Sequence, residues 1–589
     1  MASTNPVEQL LRDRIRKERS LLSRLCDEDI WLKLHSGDDT GARWILLFFT
    51  EPATLGVAVD SVLGRIEREF AALSDGEKAL CLKFVSFLAI DLNSALCEWH
   101  LRAVLAVSDL EAIGRRVSDK LEKLATISRS AEQAALDEVR RVTTARLRAE
   151  SVTDPDEVRK LVDAIVGTHL TDFVSNIIRD TACSNFTTAA RAHRVGELAT
   201  EIGNDYADFL EYAMWFGASF ATTNPVLIKL AWDIEPEYWN AEVDRIIVAT
   251  IPPAKLERLR EDRSQDLRMT VESLARSVTI GVVERNCRLL RPIFLVTEGK
   301  QGYVSLQVNP EAHDDTSKMF HAAREIYNEL ERRLGGVPNV VIKVPATHAG
   351  LKTAEQLTVL GIGVTITLTY SMFQALPFAR VLNAGHALVS YIAIMNGRLA
   401  FPVRDELVRQ SVPGGVEASR WAGVAVARKV GRKIYGPLSS GGFGIDPVRV
   451  KIMIASLRIY EDWIPDISEL WGVPLLTVFP NVRRAYDAHM RQLSTSTVNL
   501  ETPVSELKTL AESELFRQAW WADDRNETTV EPHSKLTLDE SDTLAVAAWT
   551  PVHETLTQFI ESYRQMSMKV EERLLSAALR TRSAGTARG

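Results

Sequence analysis

The stretch Pro338 to Thr347 reads PNVVIKVPAT and sets one lysine, Lys343, inside an apolar, β-branched run. Val340, Val341, Ile342 and Val344 have the unbroken hydrophobic character of a strand buried on both faces, and Pro345 ends it. Such a strand belongs to a parallel sheet covered by helices, where an ammonium is costly to bury. At the carboxyl end of a barrel strand, desolvation and neighbouring cations would lower an amine's pKa from about 10.4 toward neutrality. That would make Lys343 a Schiff-base nucleophile. The plainer reading, a lysine snorkelling from a strand end, stays open on this stretch alone.

Outward from this strand, short Val/Ile-rich runs alternate with amphipathic stretches over about 170 to 485, the pattern of βα units around a parallel sheet. The candidates are FVSNIIRD (173–180), GASFATTNP (217–225), GYVSLQVNP (302–310), NVVIKVPAT (339–347), GVTITLTYS (363–371), ALVSYIAIM (387–395), VKIMIAS (450–456) and PLLTVFP (474–480). Eight of them predict an α/β fold, a closed (β/α)8 TIM barrel whose active site sits at the carboxyl ends of the strands. Residues 1–165 instead space their apolar side chains by three and four, as in Val59, Val62, Leu63 and Ile66. They are read as an all-α domain, and 166–589 as the barrel with a C-terminal helical extension. A polar, loop-like stretch is expected near Asp523 to Asp539.

Composition narrows the function. The 589 residues are 46% hydrophobic and carry a formal charge of −8, which argues against a nucleic-acid surface because phosphate binding needs a concentrated basic face. Five cysteines, widely spaced and without a CxxC pair, point to neither a disulfide framework nor a zinc site. The histidines form no HExxH and no tight cluster, so no metal is expected. With no signal-type leader and no long apolar run, the expected protein is soluble and cytoplasmic, with no membrane partner.

Five strings, ATTNP (221–225), GYVSLQV (302–308), IKVPATHAGLKTAEQL (342–357), GIGVTITLTYSMFQA (361–375) and IASLR (454–458), occur in the order of the transaldolase family's motifs. The resemblance covers about 170 to 485, with a family-type helix near 540 to 575, and leaves the first 165 residues outside it. It implies that Lys343 is the Schiff-base lysine, that Thr367 holds the catalytic water and that Asn224 binds substrate hydroxyls. Ser456 and Arg458 match the pair that grips a substrate phosphate, and Arg398 in NGR resembles the second arginine of that clamp. Two guanidiniums suit a phosphate because each offers a planar fork of donors. The plain readings are a turn for Asn224 and a surface ion pair for Arg398.

Three positions depart from the family. Gln307 stands where transaldolases have glutamate, and glutamine cannot pass a proton. The same change recurs in the fructose-6-phosphate aldolase relatives. Thr365 replaces an asparagine. The family's proton-accepting aspartate falls either on Asp180, at the end of the first candidate strand, or on Asp205, which fits the family spacing but follows no clear strand. Asp180 is the preferred assignment. The resemblance implies a cofactor-free enzyme that moves a three-carbon dihydroxyacetone unit between sugar phosphates. The alternatives are an aldolase of the same mechanism, or a non-catalytic barrel with a partner-binding helical domain. Assembly into a homo-oligomer is left open.

Overall fold

In the computed structural model, which describes residues 5–102, 104–261, 265–521 and 530–586, eight parallel strands close on themselves in chain order. They are β1 (Glu201–Asn204), β2 (Ala218–Thr222), β3 (Val304–Gln307), β4 (Val340–Pro345), β5 (Val364–Thr369), β6 (Ser390–Met395), β7 (Val450–Ala455) and β8 (Leu475–Val478). Closure runs through the β1–β8 ladder, from Glu201 opposite Leu475 to Asn204 opposite Val478. Every residue of β4 to β7 is buried, as expected for strands with side chains in the lumen on one face and helices on the other. The expected (β/α)8 barrel is present.

The first expected strand is not. Residues 173–180 lie within a helix, Leu170–Ala182. Leu170, Phe173, Val174, Ile177 and Thr181 are its buried face, and this three-and-four spacing outweighs the β-branched content that suggested a strand. The Asp172 carboxylate fixes the start by accepting the backbone N–H of Thr168 at 2.9 Å and of His169 at 3.0 Å. The true β1 is the four-residue EIGN. A Cβ on Gly203 would sit 3.0 Å from Thr477 Cγ2 and 3.3 Å from Phe220 Cδ1, so a larger residue there would press on both side chains.

Helices fill the chain from Pro6 to Arg194 ahead of β1. A typical one, Asp75–Asn93, opens on a reciprocal cap in which Ser74 N–H donates to the Glu77 carboxylate at 2.9 Å and Glu77 N–H donates to Ser74 Oγ. Caps of this kind contribute about 1 kcal/mol. The helical region is joined to the barrel by a buried cage. Arg43, 0% exposed, pairs with Asp91 of the same region and with Glu211, on the short helix that follows β1. Trp215 Nε1 donates to the other Asp91 oxygen at 2.7 Å. Breaking a buried pair by removing one partner costs about 3–5 kcal/mol, so losing Arg43 or Asp91 would destabilise the junction.

After β8 the chain returns to helix, ending in Thr550–Thr586. Its first half packs Val552, Leu556 and Phe559 into the barrel's core. Its second half buries Met566, Val570 and Leu574 in a separate core with Val243, Ile247, Leu274 and Val278. Of the polar stretch expected near Asp523 to Asp539, residues 523–529 lie outside the described residues, and 530–539 has no regular structure. Among the described residues no single helix is long and apolar enough to cross a membrane.

Candidate active site

Lys343 lies toward the carboxyl end of β4, only 5% exposed, with Gln307 of β3 and Thr365 of β5 opposite it in the two ladders. Burial draws its amine down to about 8; Asp205 nearby opposes this, and the like charge of Arg398 adds to it. At pH 7 roughly a tenth of such an amine is neutral, against well under a thousandth of an ordinary lysine. The snorkelling alternative does not hold, because the side chain points into the closed interior. Gln307 Oε1 and Thr365 Oγ1 are both buried with no protein partner.

The carboxylate that faces Lys343 is Asp205, the residue immediately after β1. Its backbone N–H continues the β1–β8 ladder to Val478 O at 3.0 Å, which fixes where the side chain points. Asp205 is 5% exposed and accepts a hydrogen bond from Thr222 Oγ1 on β2. Burial raises its pKa above the ordinary carboxylate value, while the Thr222 hydroxyl, Lys343, the Ser456 backbone N–H and Arg398 pull it back. Asp180 is elsewhere. It sits on the flank of the helix Leu170–Ala182, its side chain 41% exposed and 3.8 Å from Arg179 Nε, and does not line the site. The preference for Asp180 is therefore corrected, and it fell with the mistaken first strand.

Thr367 is 1% exposed, two residues along β5 from Thr365. Just beyond it the register with β6 shifts between Ile366 and Thr369, and Leu368 has φ +59°. This bulge resets the side-chain alternation. Simple alternation would turn Tyr370 away from Thr367, yet its hydroxyl lies 3.7 Å from Met395 Sδ, the sulfur that Thr367 Oγ1 approaches at 3.6 Å. The Tyr370 hydroxyl also meets Thr555 Oγ1 of the C-terminal helix at 2.6 Å.

A group of cations forms the opposite rim. Ser456, just past β7, has φ +60°, which turns its backbone N–H toward Asp205. Arg458 follows on the same loop, its backbone N–H on Asp466 Oδ2 at 2.9 Å and its guanidinium on the carbonyls of Ser456 and Leu457 at 3.0 and 3.1 Å. Burial of Asp466 lifts that carboxylate to about 6. Arg398, on the helix Asn396–Arg409, is close enough to Arg458 and Lys343 to depress both, and its buried Nε has no protein partner. The neighbouring Gly397 is required here, since a Cβ would fall 2.3 Å from Arg458 Cγ and 2.4 Å from Ser456 O. Asn224 Oδ1 caps the helix Pro225–Ile234 by accepting Leu227 N–H at 3.0 Å, which leaves its amide NH2 for a ligand.

Asp205, Asn224, Lys343, Thr367, Arg398 and Ser456 line one cavity of about 90 Å³, with Gln307 and Thr365 beside Lys343 and Arg458 behind Arg398. Among the further lining residues that the sequence reading missed are Thr222 and Phe559. Thr222 was legible in principle, two positions before Asn224 at strand periodicity. Phe559 was not, because it reaches the mouth from a helix far along the chain. Among the described residues no group of three or more His, Cys, Asp or Glu side chains is placed to hold a metal ion. The arrangement can form an imine with a carbonyl compound, move a proton at Asp205 and hold an anion at the arginines.

Residues 204–535, more than half of the chain, match the model of the family described as Transaldolase/Fructose-6-phosphate aldolase. Similar curated proteins include a transaldolase of Thiobacillus denitrificans, 33% identical over 159 residues, which are 27% of this chain and 38% of that protein. Transaldolase 2 of Streptomyces avermitilis is 35% identical over 105 residues, 18% of this chain and 27% of its own. A transaldolase of Campylobacter jejuni is 27% identical over 184 residues, 31% of this chain and 47% of its own. The chain thus spans less than half the length of these relatives.

Proposed function

From the premise that this chain belongs to the transaldolase/fructose-6-phosphate aldolase family, we propose that it transfers a three-carbon dihydroxyacetone unit from a ketose phosphate to an aldose acceptor through an imine on Lys343. The observation that carries this reading is one buried amine, lowered to about 8, facing one buried carboxylate across the mouth of a barrel. The neutral amine adds to the ketose carbonyl, and loss of water from the carbinolamine gives an iminium. Asp205 takes the proton of the hydroxyl beyond the scissile bond. That bond's electrons pass into the iminium, the shorter aldose leaves, and an enamine of the three-carbon unit stays on Lys343. Attack of that enamine on the acceptor aldehyde reverses these steps, and hydrolysis returns the amine.

Thr367 holds the water of the dehydration and hydrolysis steps, the Asn224 amide donates to a substrate hydroxyl, and Ser456, Arg398 and Arg458 hold the phosphate. Gln307 orients a group beside Lys343 without titrating. Its neutral, unpartnered amide favours a second reading, an aldolase of the same mechanism that releases free dihydroxyacetone. Borohydride reduction in the presence of a ketose phosphate tests the shared step. The expected result is a covalent mass adduct on the peptide containing Lys343, and its absence under saturating donor would remove both readings.

The phosphate assignment makes a separate prediction. Arg458→Ala deletes a charge-assisted contact of about 1.5–3 kcal/mol, so kcat/KM for a phosphorylated ketose should fall about ten- to a hundredfold. An unphosphorylated ketose should barely respond. Steady-state kinetics with both donors decides, and equal losses would make Arg458 a purely structural arginine.

A further inference from the structure

The mouth above Lys343 is covered by the C-terminal helix. Phe559 on that helix is 1% exposed and lines the cavity, its ring centre 5.9 Å from Lys343 Nζ and 5.8 Å from Arg398 Cζ. One turn earlier Thr555 bonds the Tyr370 hydroxyl at 2.6 Å, tying the helix to the end of the bulged β5. Farther on, Arg564 meets Glu311 at 2.7 Å, Lys569 meets Asp233 and Arg573 meets Asp244. Those three pairs are partly exposed and add little to the apolar packing of Val552, Leu556, Met566 and Val570 that seats the helix. The space of about 90 Å³ is far below the roughly 300–1,000 Å³ of pockets that bury a drug-sized ligand. With Phe559 in place, little room is left beside Lys343.

We propose that Phe559 is a specificity-determining residue. The Phe559 ring, on a backbone held by the Thr555 bond to Tyr370, swings aside to admit the phosphorylated donor, then reseats over the three-carbon enamine once the aldose has left. This rests on the reading of Lys343 as the imine-forming residue. Release of the unit as free ketone needs a proton on the enamine carbon and one water added to the iminium, whose collapse frees the ketone and restores the amine. The Phe559 ring, seated on Lys343 and Arg398, keeps bulk solvent, the proton source for the enamine carbon, from the three-carbon enamine; the Thr367 water still serves the hydrolysis that both outcomes share, so the unit waits for an acceptor aldose. Through this residue the chain favours transfer over release despite Gln307.

The test uses the full chain with Phe559→Ala, Phe559→Leu and Thr555→Val, a ketose phosphate donor, and an aldose acceptor present or absent. Two readouts are taken, the ratio of free dihydroxyacetone to transfer product and borohydride trapping on Lys343. The expected result is undiminished trapping, a release-to-transfer ratio raised about tenfold in Phe559→Ala and severalfold in Thr555→Val, and a return toward the parent ratio in Phe559→Leu. An unchanged ratio in Phe559→Ala with trapping intact would overturn the proposal. If Phe559→Ala does not fold, an unchanged ratio in Thr555→Val overturns it instead. If the parent is not trapped at all, the imine reading itself falls and takes this inference with it.

Discussion

Lys343→Arg is expected to abolish turnover and borohydride trapping while the protein still folds. Arginine keeps the positive charge opposite Asp205 but stays protonated at any working pH, so it cannot form the imine. Near-normal rates in this variant would end the Schiff-base mechanism. The parent's pH dependence adds a second check. Burial lowers the Lys343 amine to about 8, so the neutral nucleophile gains population as pH rises from 6 and is mostly formed above about 8. The imine-forming rate should climb tenfold per pH unit below that value and level off above it. A plateau near the ordinary lysine value of about 10.4 would show that the amine is not desolvated.

Asp205→Asn should lower kcat by about 10²- to 10⁴-fold, the usual contribution of a positioned acid–base group, with little change in trapping of the first imine. Asp180→Asn should stay within twofold of the parent, since Asp180 lies on an outer helix beside Arg179. The pair discriminates sharply. A large loss at Asp180 with none at Asp205 would reverse the assignment drawn from the barrel. Because burial raises the Asp205 pKa, the acid limb of the parent's rate profile should lie above that of an exposed carboxylate, with rate lost as pH falls and the base becomes protonated. In Asp205→Asn that limb should disappear.

The contrast between these two aspartates also marks what the sequence could and could not reveal. Strands such as VVIKVP and VTITLT are buried on both faces, and their hydrophobicity gives them away. Their site residues, Lys343 and Thr367, came with them. EIGN carries no such signal: it is four residues long, includes a glycine, and has polar ends, Glu201 paired with Ser219 and Lys451 and Asn204 donating to the carbonyls of Tyr206 and Asp208. FVSNIIRD, rich in β-branched residues, competed successfully for the role although its spacing was helical. Tyr370 shows a related limit. Alternation along a strand assumes regular pairing, and a bulge at Leu368 cannot be read from composition. Phe559 depends on a tertiary crossing of distant segments, which local pattern does not encode.

The Arg43 cage carries a consequence for how this molecule can be taken apart. One guanidinium is shared between a carboxylate of the early helices and one borne by the barrel's first connection, with an indole of that connection closing the ring. A fragment trimmed to the family's own span, 204–535, would discard Arg43 and Asp91, cut away Glu201 to Gly203 of β1 and lose the helix that bears Phe559. Glu211 and Trp215 would then face solvent where they now meet protein. The early helices thus share a buried polar contact with the barrel's first connection. A truncation that keeps only one side of this ionic keystone is expected to be destabilised by the unpaired charge it leaves.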